Sequence, residues 1–243
     1  ASTAHDKYPA KIDYTHPQPT PINALSTQHS ALHSKKISGF IIGENTPVQR
    51  RSDHSPAHVT KDILYSILQE KYPWLPVIKE KDLDDDILRN NFIQRALALQ
   101  ELNYLRENKL TRHALIDFHS RYKLLLLAHS QPAYREIGPF VALIHKWNNL
   151  EAFFIAYRTK LMAILKLPTS RENHTNVIMH IQGYFRPQLS SDQRGELSCA
   201  IDSYRIGTSS IDIPLKILKK YLSTYPNRYL TSQKYLMLEG DRI

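Results

Sequence analysis

Cysteine and glycine are scarce in this sequence, and long apolar runs are missing. The single cysteine, Cys199, has no partner for an intramolecular disulfide, and one thiolate cannot by itself hold zinc or an iron–sulfur cluster. No apolar run approaches the roughly 20 residues that span a bilayer, and the N-terminus is polar where a signal peptide needs an apolar stretch. We therefore predict a cytoplasmic protein that carries no cofactor and does not enter membranes.

Motifs that would identify an enzyme class are also missing. The chain contains no GxGxxG, GxxxxGKS/T or GxSxG pattern. Twelve histidines suggest metal binding, but His54 and His58, which are four residues apart, are separated by Pro56 and have no HExxH context. The sequence thus predicts no metal site.

Positive charge is concentrated in the second half of the chain. Residues 1–110 hold 14 Lys and Arg against 13 Asp and Glu, whereas residues 111–243 hold 18 against 10. A positive field attracts phosphate backbones, anionic surfaces or acidic proteins. A basic surface that only keeps the protein soluble is the alternative interpretation.

The pattern of prolines and apolar residues predicts a mainly α fold. Residues 1–36 contain four prolines and no apolar periodicity, which indicates an extended arm or linker. Residues 37–42 are the best candidate strand, and from Ala57 onward the chain is predicted to be helical. We expect a multi-helix bundle domain with a small α-rich N-terminal part that contains one or two strands.

Capping residues and apolar spacing locate several helices. The helix over residues 87–107 follows three aspartates that can cap it. Its apolar face should carry Leu88, Phe92, Leu99 and Leu102. An apolar helix over residues 150–167 should be central to the core. Further signals are a cap at Thr111, capping boxes at Thr169 with Glu172 and at Ser190 with Gln193, a helix stop at Gly207, and a final helix over residues 229–236.

Residues 170–185 form the most informative of these helices. At about 100° per residue, one face is apolar, and the other carries Asn173, Asn176, His180, Gly183 and Tyr184. A second polar patch, His119 with Lys123, lies on an earlier helix. The two patches are expected to line a cleft that contacts a phosphate, sugar or base, although hydrogen bonds between packed helices would explain the histidines equally well. An enzyme that uses His119 and His180 as general acid and base is a further alternative.

Cations alternate with tyrosines through the last part of the chain. Lysine and arginine can neutralise phosphates while aromatic rings stack on exposed bases. A lysine row can also be a plain solvated helix face. The candidate RNA-binding residues are His119, Lys123, Asn176, His180, Tyr184, Arg186, Tyr204, Arg205, Lys216, Lys219 and Lys220.

Four sequence strings resemble one bacterial family. FHSRYKLLLLAHS (residues 118–130), NVIMHIQGYFR (176–186), IDSYRIG (201–207) and YLTSQKYL (229–236) are similar, in this order, to the YbgA-like family of unknown function. In that family the domain often follows a thiouracil or thiouridine desulfidase domain, and such fusions are associated with binding the tRNA that loses sulfur from 4-thiouridine. The resemblance covers about residues 110–243 and implies a helical, RNA-facing domain.

The upstream segment resembles the C-terminal half of the desulfidase domain. The similarity rests on residues 37–41 and 72–97, but residues 43–48 contain no cysteine where the desulfidases carry a cysteine-bearing loop. A cluster needs thiolates, so no desulfidase activity is expected from this chain alone. We thus expect an arm at residues 1–36, a degenerate desulfidase-like remnant at 37–107 and a YbgA-like helical domain at 108–243.

These expectations lead to a non-catalytic accessory protein of thionucleoside metabolism that binds structured RNA, with tRNA as first choice. A separate desulfidase or another tRNA-modifying enzyme is the expected protein partner. A protein-interaction module is the remaining alternative, and it would present a contiguous apolar surface instead of a basic one.

Overall fold

The protein is mainly α-helical, as the sequence predicts. The computed structural model describes residues 38–43 and 61–238, and these ranges contain ten α-helices and one two-stranded sheet. The helices are α1 (Lys61–Lys71), α2 (Asp86–Lys109), α3 (Arg112–His129), α4 (Gln131–Ala142), α5 (Leu150–Lys166), α6 (Arg171–Phe185), α7 (Ser191–Arg205), α8 (Asp212–Thr224), α9 (Arg228–Ser232) and α10 (Lys234–Leu238). Two 3-10 helices span Glu80–Asp84 and Leu143–Lys146.

The small sheet consists of two parallel strands of three residues each. Strand β1 (Phe40–Ile42) falls inside the predicted segment, and Phe40 pairs with Val77 of β2 (Val77–Lys79). Gly39 precedes β1, and a Cβ at this position would lie 2.9 Å from Cζ of Phe92 in α2. Glycine therefore allows α2 to pack closely against the start of the strand.

The predicted caps explain where several helices begin. The Thr111 hydroxyl accepts a hydrogen bond from the Ala114 N–H, and Ser190 and Gln193 form the expected reciprocal capping box. Gly207 has φ +87°, the left-handed conformation that favours glycine after a helix. These local signals were confirmed because each depends only on residues within one turn.

Two predicted boundaries were wrong. Ser170, not Thr169, caps α6, because its hydroxyl accepts from the Asn173 N–H and the helix begins one residue later than expected. The predicted final helix is divided into α9 and α10 at Gln233. The Gln233 side chain is fully buried against α3, where its Nε2 donates to the Ser120 carbonyl oxygen at 2.9 Å and its Oε1 accepts from the Leu124 N–H at 3.2 Å. These hydrogen bonds to α3 hold Gln233 in an extended conformation, so the helix is interrupted at this residue.

One continuous hydrophobic core joins the N-terminal elements to the helical domain. Helix α5 is central, as predicted, and buries Phe153, Phe154, Tyr157, Leu161, Met162, Ile164 and Leu165. Leu64 of α1 and Leu99 of α2 belong to the same core. The Arg158 guanidinium of α5 lies 3.7 Å from the ring centroid of Trp74, which ties the segment before β2 to α5.

The inner face of α2 was only half correctly predicted. Leu99 and Leu102 are fully buried, whereas Leu88 is 48% exposed. The first turns of α2 border an open cleft, so Leu88 has no helix opposite it. Farther along α2, the Glu101 carboxylate accepts hydrogen bonds from the Tyr122 hydroxyl at 3.0 Å and from the Lys234 ammonium at 2.9 Å, which joins α2 to α3 and α10.

Candidate nucleic-acid interface

Helix α6 has the two faces that its sequence predicts. Val177, Ile178, Ile181 and Phe185 are buried. On the opposite side His180, Gly183 and Tyr184 are exposed, and Asn173 and Asn176 are half-buried. The polar face is therefore available at the surface over its C-terminal half.

A row of aromatic rings leads inward from this polar face. Tyr184 is 42% exposed, and its ring stacks on Tyr229 of α9 with centroids 5.3 Å apart and planes 26° apart. Burial raises the pKa of Tyr229, and the nearby Tyr184 and Tyr134 hydroxyls raise it further. Tyr229 stacks on Tyr184 and is near Tyr134, and we call Tyr184, Tyr229 and Tyr134 the tyrosine row.

His119 lies at the inner end of the tyrosine row. Tyr134 of α4 is parallel to the His119 ring within 3°, with centroids 5.8 Å apart. Nδ1 of His119 is 3.2 Å from the Tyr157 hydroxyl, and its Nε2 is buried with no hydrogen-bond partner in the described part of the chain. Burial lowers the pKa of His119 to about 4, and the positive charge of Lys123 acts in the same direction. The imidazole is therefore neutral at pH 7.

The expected cleft between His119 and the polar face of α6 is not formed. His119 is only 7% exposed and packs against α4 and α5, while His180 is exposed on α6. No hydrogen bond or ring contact in the described ranges joins the two histidines. Helix α3 is covered on more than one side, so a polar residue opposite its main apolar face can still be buried.

The predicted cations are spread over several helices, and three of them are exposed at or near the ends of α6 and α8. Arg186 is exposed at the end of α6, and Lys216 and Lys220 are exposed on α8. The Phe185 ring of α6 meets the Tyr221 ring of α8 at a centroid distance of 6.3 Å, which brings the ends of these two helices together.

The other predicted cations differ in their surroundings. Lys123 and Lys219 are half-buried. Arg205 is exposed, but it pairs with Asp202 at 3.1 Å on its own helix.

Tyr204 belongs to a different region from the tyrosine row. It is nearly buried, and the Arg171 guanidinium lies 4.7 Å from its ring centroid. Tyr204 and Arg171 border a cleft of about 1140 Å³ at the start of α6, and the first turns of α2 form the opposite wall. The wall from α2 is mixed: it contributes the apolar Ile87, Leu88, Ile93 and Leu97 together with polar and charged side chains.

Tyr134 is the residue that the sequence interpretation missed. Its ring is half-buried, lies parallel to His119 and is near Tyr229, but both neighbours lie on other helices. Helical periodicity reports which side of a helix faces inward and carries no information about which residue of another helix lies opposite. No local signal marks Tyr134.

The described residues contain no group of three or more His, Cys, Asp or Glu side chains placed to hold a metal ion. His54 and His58 lie outside the residues that the structure describes. Among the described helices, none has the length and apolar character needed to cross a bilayer.

The architecture defines a mainly α-helical, multi-helix protein with a small parallel sheet and an exposed tyrosine on a basic half. The family described as "Protein of unknown function (DUF1722)" matches residues 123–238. The "Uncharacterized protein YbgA" of Escherichia coli (strain K12) is 50% identical over 144 residues, which cover 59% of this chain and 85% of that protein. The chain therefore belongs to the YbgA-like family. No solved structure matches it.

These matches bear on the helical part of the chain. The interpretation of residues 37–107 as a degenerate desulfidase remnant, and the division of the chain at residue 108, stay predictions.

Proposed function

We propose that this protein is a cytoplasmic, non-catalytic factor that binds structured RNA, with tRNA as first choice, in thionucleoside metabolism. Its protein partner would be a separate desulfidase or another tRNA-modifying enzyme. The observation that carries the proposal is the exposed Tyr184, which stacks on Tyr229 near the end of α6, where Arg186 is exposed and the buried Phe185 contacts Tyr221 of the lysine-bearing α8. An aromatic ring flanked by cations suits a polyanion that also offers unpaired bases.

The charge distribution supports this proposal. Residues 111–243 carry 18 basic against 10 acidic side chains. Within the ranges that the structure describes, no ion pair involves Arg186, Lys216 or Lys220. Cations that form no ion pair can neutralise phosphates without first breaking one.

The salt dependence of tRNA binding tests the proposal. We expect the logarithm of the association constant to fall linearly with the logarithm of salt concentration, because bound phosphates release counterions. Changing Lys216, Lys219 and Lys220 together to Gln should make the slope shallower by about one unit for each lysine that contacts a phosphate.

A matched control removes the same charge from the other half of the chain. Lys71→Gln, Lys81→Gln and Lys109→Gln change three exposed lysines of the N-terminal part. This control variant should keep the wild-type slope. A flat salt curve for the wild type, or equal slopes for the two triple variants, would contradict the proposal.

The apolar side of α2 favours a second candidate function, contact with another protein. Ile87, Ile93, Leu97 and Tyr104 are large exposed side chains on this one helix. Grouped exposed apolar residues are typical of protein-binding surfaces. A flat salt curve in the tRNA experiment would leave this candidate in place of RNA binding.

A further inference from the structure

We infer that Tyr184 is the stacking platform for one unpaired base of the bound RNA. This inference rests on the proposed function and adds to it the kind of RNA that the surface selects. The ligand would be a folded RNA with at least one base outside a helix, in a loop or a bulge, and not a continuous duplex.

The ring of Tyr184 is held in a fixed orientation. One of its faces lies against Tyr229, and Tyr229 is near Tyr134, which in turn is parallel to the buried His119. Tyr229 lies in α9, which begins at the Asn227 cap, where the Asn227 side chain accepts from the Leu230 N–H. A ring that is positioned before binding loses little conformational entropy when a base stacks on it.

The neighbours of Tyr184 complement a base and its phosphate. His180 is exposed four residues before Tyr184, one turn away on the same face of α6, and its imidazole can hydrogen-bond the edge of a base. Arg186 is exposed two residues after Tyr184, on another side of the helix end, so it adds positive charge to this end of α6 without facing the ring. A stacking ring, a hydrogen-bonding group and a cation therefore occur within seven residues.

Accessibility determines which RNA can use this arrangement. Bases inside a duplex are stacked and paired, so their faces cannot reach a ring on the protein surface. An unpaired base exposes its face and its pairing edge together. The surface should therefore prefer a hairpin with an open loop to a duplex of equal length and charge.

Tyr184→Leu tests the inference in a binding assay with two RNAs. One is a hairpin with a single-stranded loop, and the other is a fully paired duplex with the same number of phosphates. The wild type should bind the hairpin more tightly, and Tyr184→Leu should weaken hairpin binding roughly 5- to 150-fold while leaving duplex binding within about twofold. Tyr184→Phe keeps the ring and should stay within about threefold of the wild type.

Tyr104 provides the matched control. It is a tyrosine with 67% exposure on α2, a helix that carries no member of the tyrosine row. Tyr104→Leu should bind both RNAs as the wild type does. If Tyr184→Leu weakens hairpin and duplex equally, or if Tyr104→Leu has the same effect as Tyr184→Leu, the stacking inference is wrong although RNA binding itself still holds.

A measurement on the wild-type protein tests the inference without relying on the correct folding of a variant. The fluorescent base 2-aminopurine, placed at each loop position in turn, should be quenched on binding at one position or a few neighbouring ones, where the base stacks. Uniformly unchanged fluorescence, with binding confirmed by a separate assay, would overturn the inference. Failure of every RNA to bind at low salt would instead remove the proposed function.

Discussion

At the scale of single residues, His119 couples stability to pH. Its pKa is 6.5 in the unfolded chain and about 4 in the folded protein, because burial and Lys123 disfavour the charged ring. A lowered pKa means that the unfolded state binds the proton first as the pH falls. The stabilisation is therefore complete above pH 6.5 and is lost between pH 6.5 and 4, with an upper limit of about 3 kcal/mol.

His119→Gln removes the titrating group at this position. We expect its free energy of unfolding to change less between pH 6.5 and 4 than that of the wild type, measured by urea denaturation at several pH values. His113→Gln, at an exposed position of the same helix, is the control and should keep the wild-type pH dependence. A pH profile for His119→Gln that matches the wild type would contradict the assignment.

Residue-scale predictions from sequence succeeded where the partner is close in the chain. Thr111 and Ser190 were identified as caps because their hydrogen bonds span three residues. For His119 the sequence left open a position in a cleft and a hydrogen bond between packed helices, and its burial by Tyr134 and Tyr157, which agrees with the second, could not be read from spacing. Which side of α3 other helices cover is decided by tertiary packing.

At the scale of elements, the junction of α9 and α10 fastens the end of the domain to α3. Gln233 bonds the Ser120 carbonyl oxygen and the Leu124 N–H, two groups one turn apart in α3. Lys234 of α10 pairs with Glu101, and the Tyr235 hydroxyl is 2.9 Å from Nδ1 of His174. One short helix and the residue before it therefore contact α2, α3 and α6.

Gln233→Leu should lower the free energy of unfolding by about 1–3 kcal/mol, because a side chain of similar size loses two buried hydrogen bonds. The urea midpoint, with an unchanged m-value, measures this loss. Gln182→Leu is the control, since Gln182 makes an exposed bond to Ser198, and it should cost less than about 1 kcal/mol. If both variants lost the same free energy of unfolding, burial would not be the reason that the Gln233 hydrogen bonds stabilise the protein.

Element-scale predictions were correct for long amphipathic helices and failed for short pieces. The faces of α6 and the extent of α5 follow from apolar residues that recur over four turns or more. Strand β2 has three residues, which is too short to show alternation. The break at Gln233 depends on a partner 113 residues away.

At the scale of the whole molecule, the N-terminal elements and the helical domain share their core. Leu99 and Leu102 of α2 are fully buried in the cluster that contains α5. Burying two leucines contributes about 3–6 kcal/mol, which is a large part of the 5–15 kcal/mol that stabilises a typical domain. A cut at residue 108 would therefore separate helices that pack on each other.

A fragment that begins at residue 108 should lose most of its stability, because it uncovers the surface of α5 that α2 occupies. Circular dichroism during heating should show a much lower or absent cooperative transition. Removing only residues 1–36, which have no apolar periodicity, is the control and should leave the midpoint unchanged. A residue 108 fragment with the full-length midpoint would show that the helical domain is autonomous.

The docking of α10 also bears on the order in which the protein is made. Translation proceeds from the N-terminus, so α3 leaves the ribosome long before Gln233 has been synthesised, 113 residues after Ser120. Until then Glu101 cannot form its ion pair with Lys234, and His174 cannot form its contact with the Tyr235 hydroxyl. A nascent chain can form its helices early, but the last contacts of the fold close only when α10 emerges.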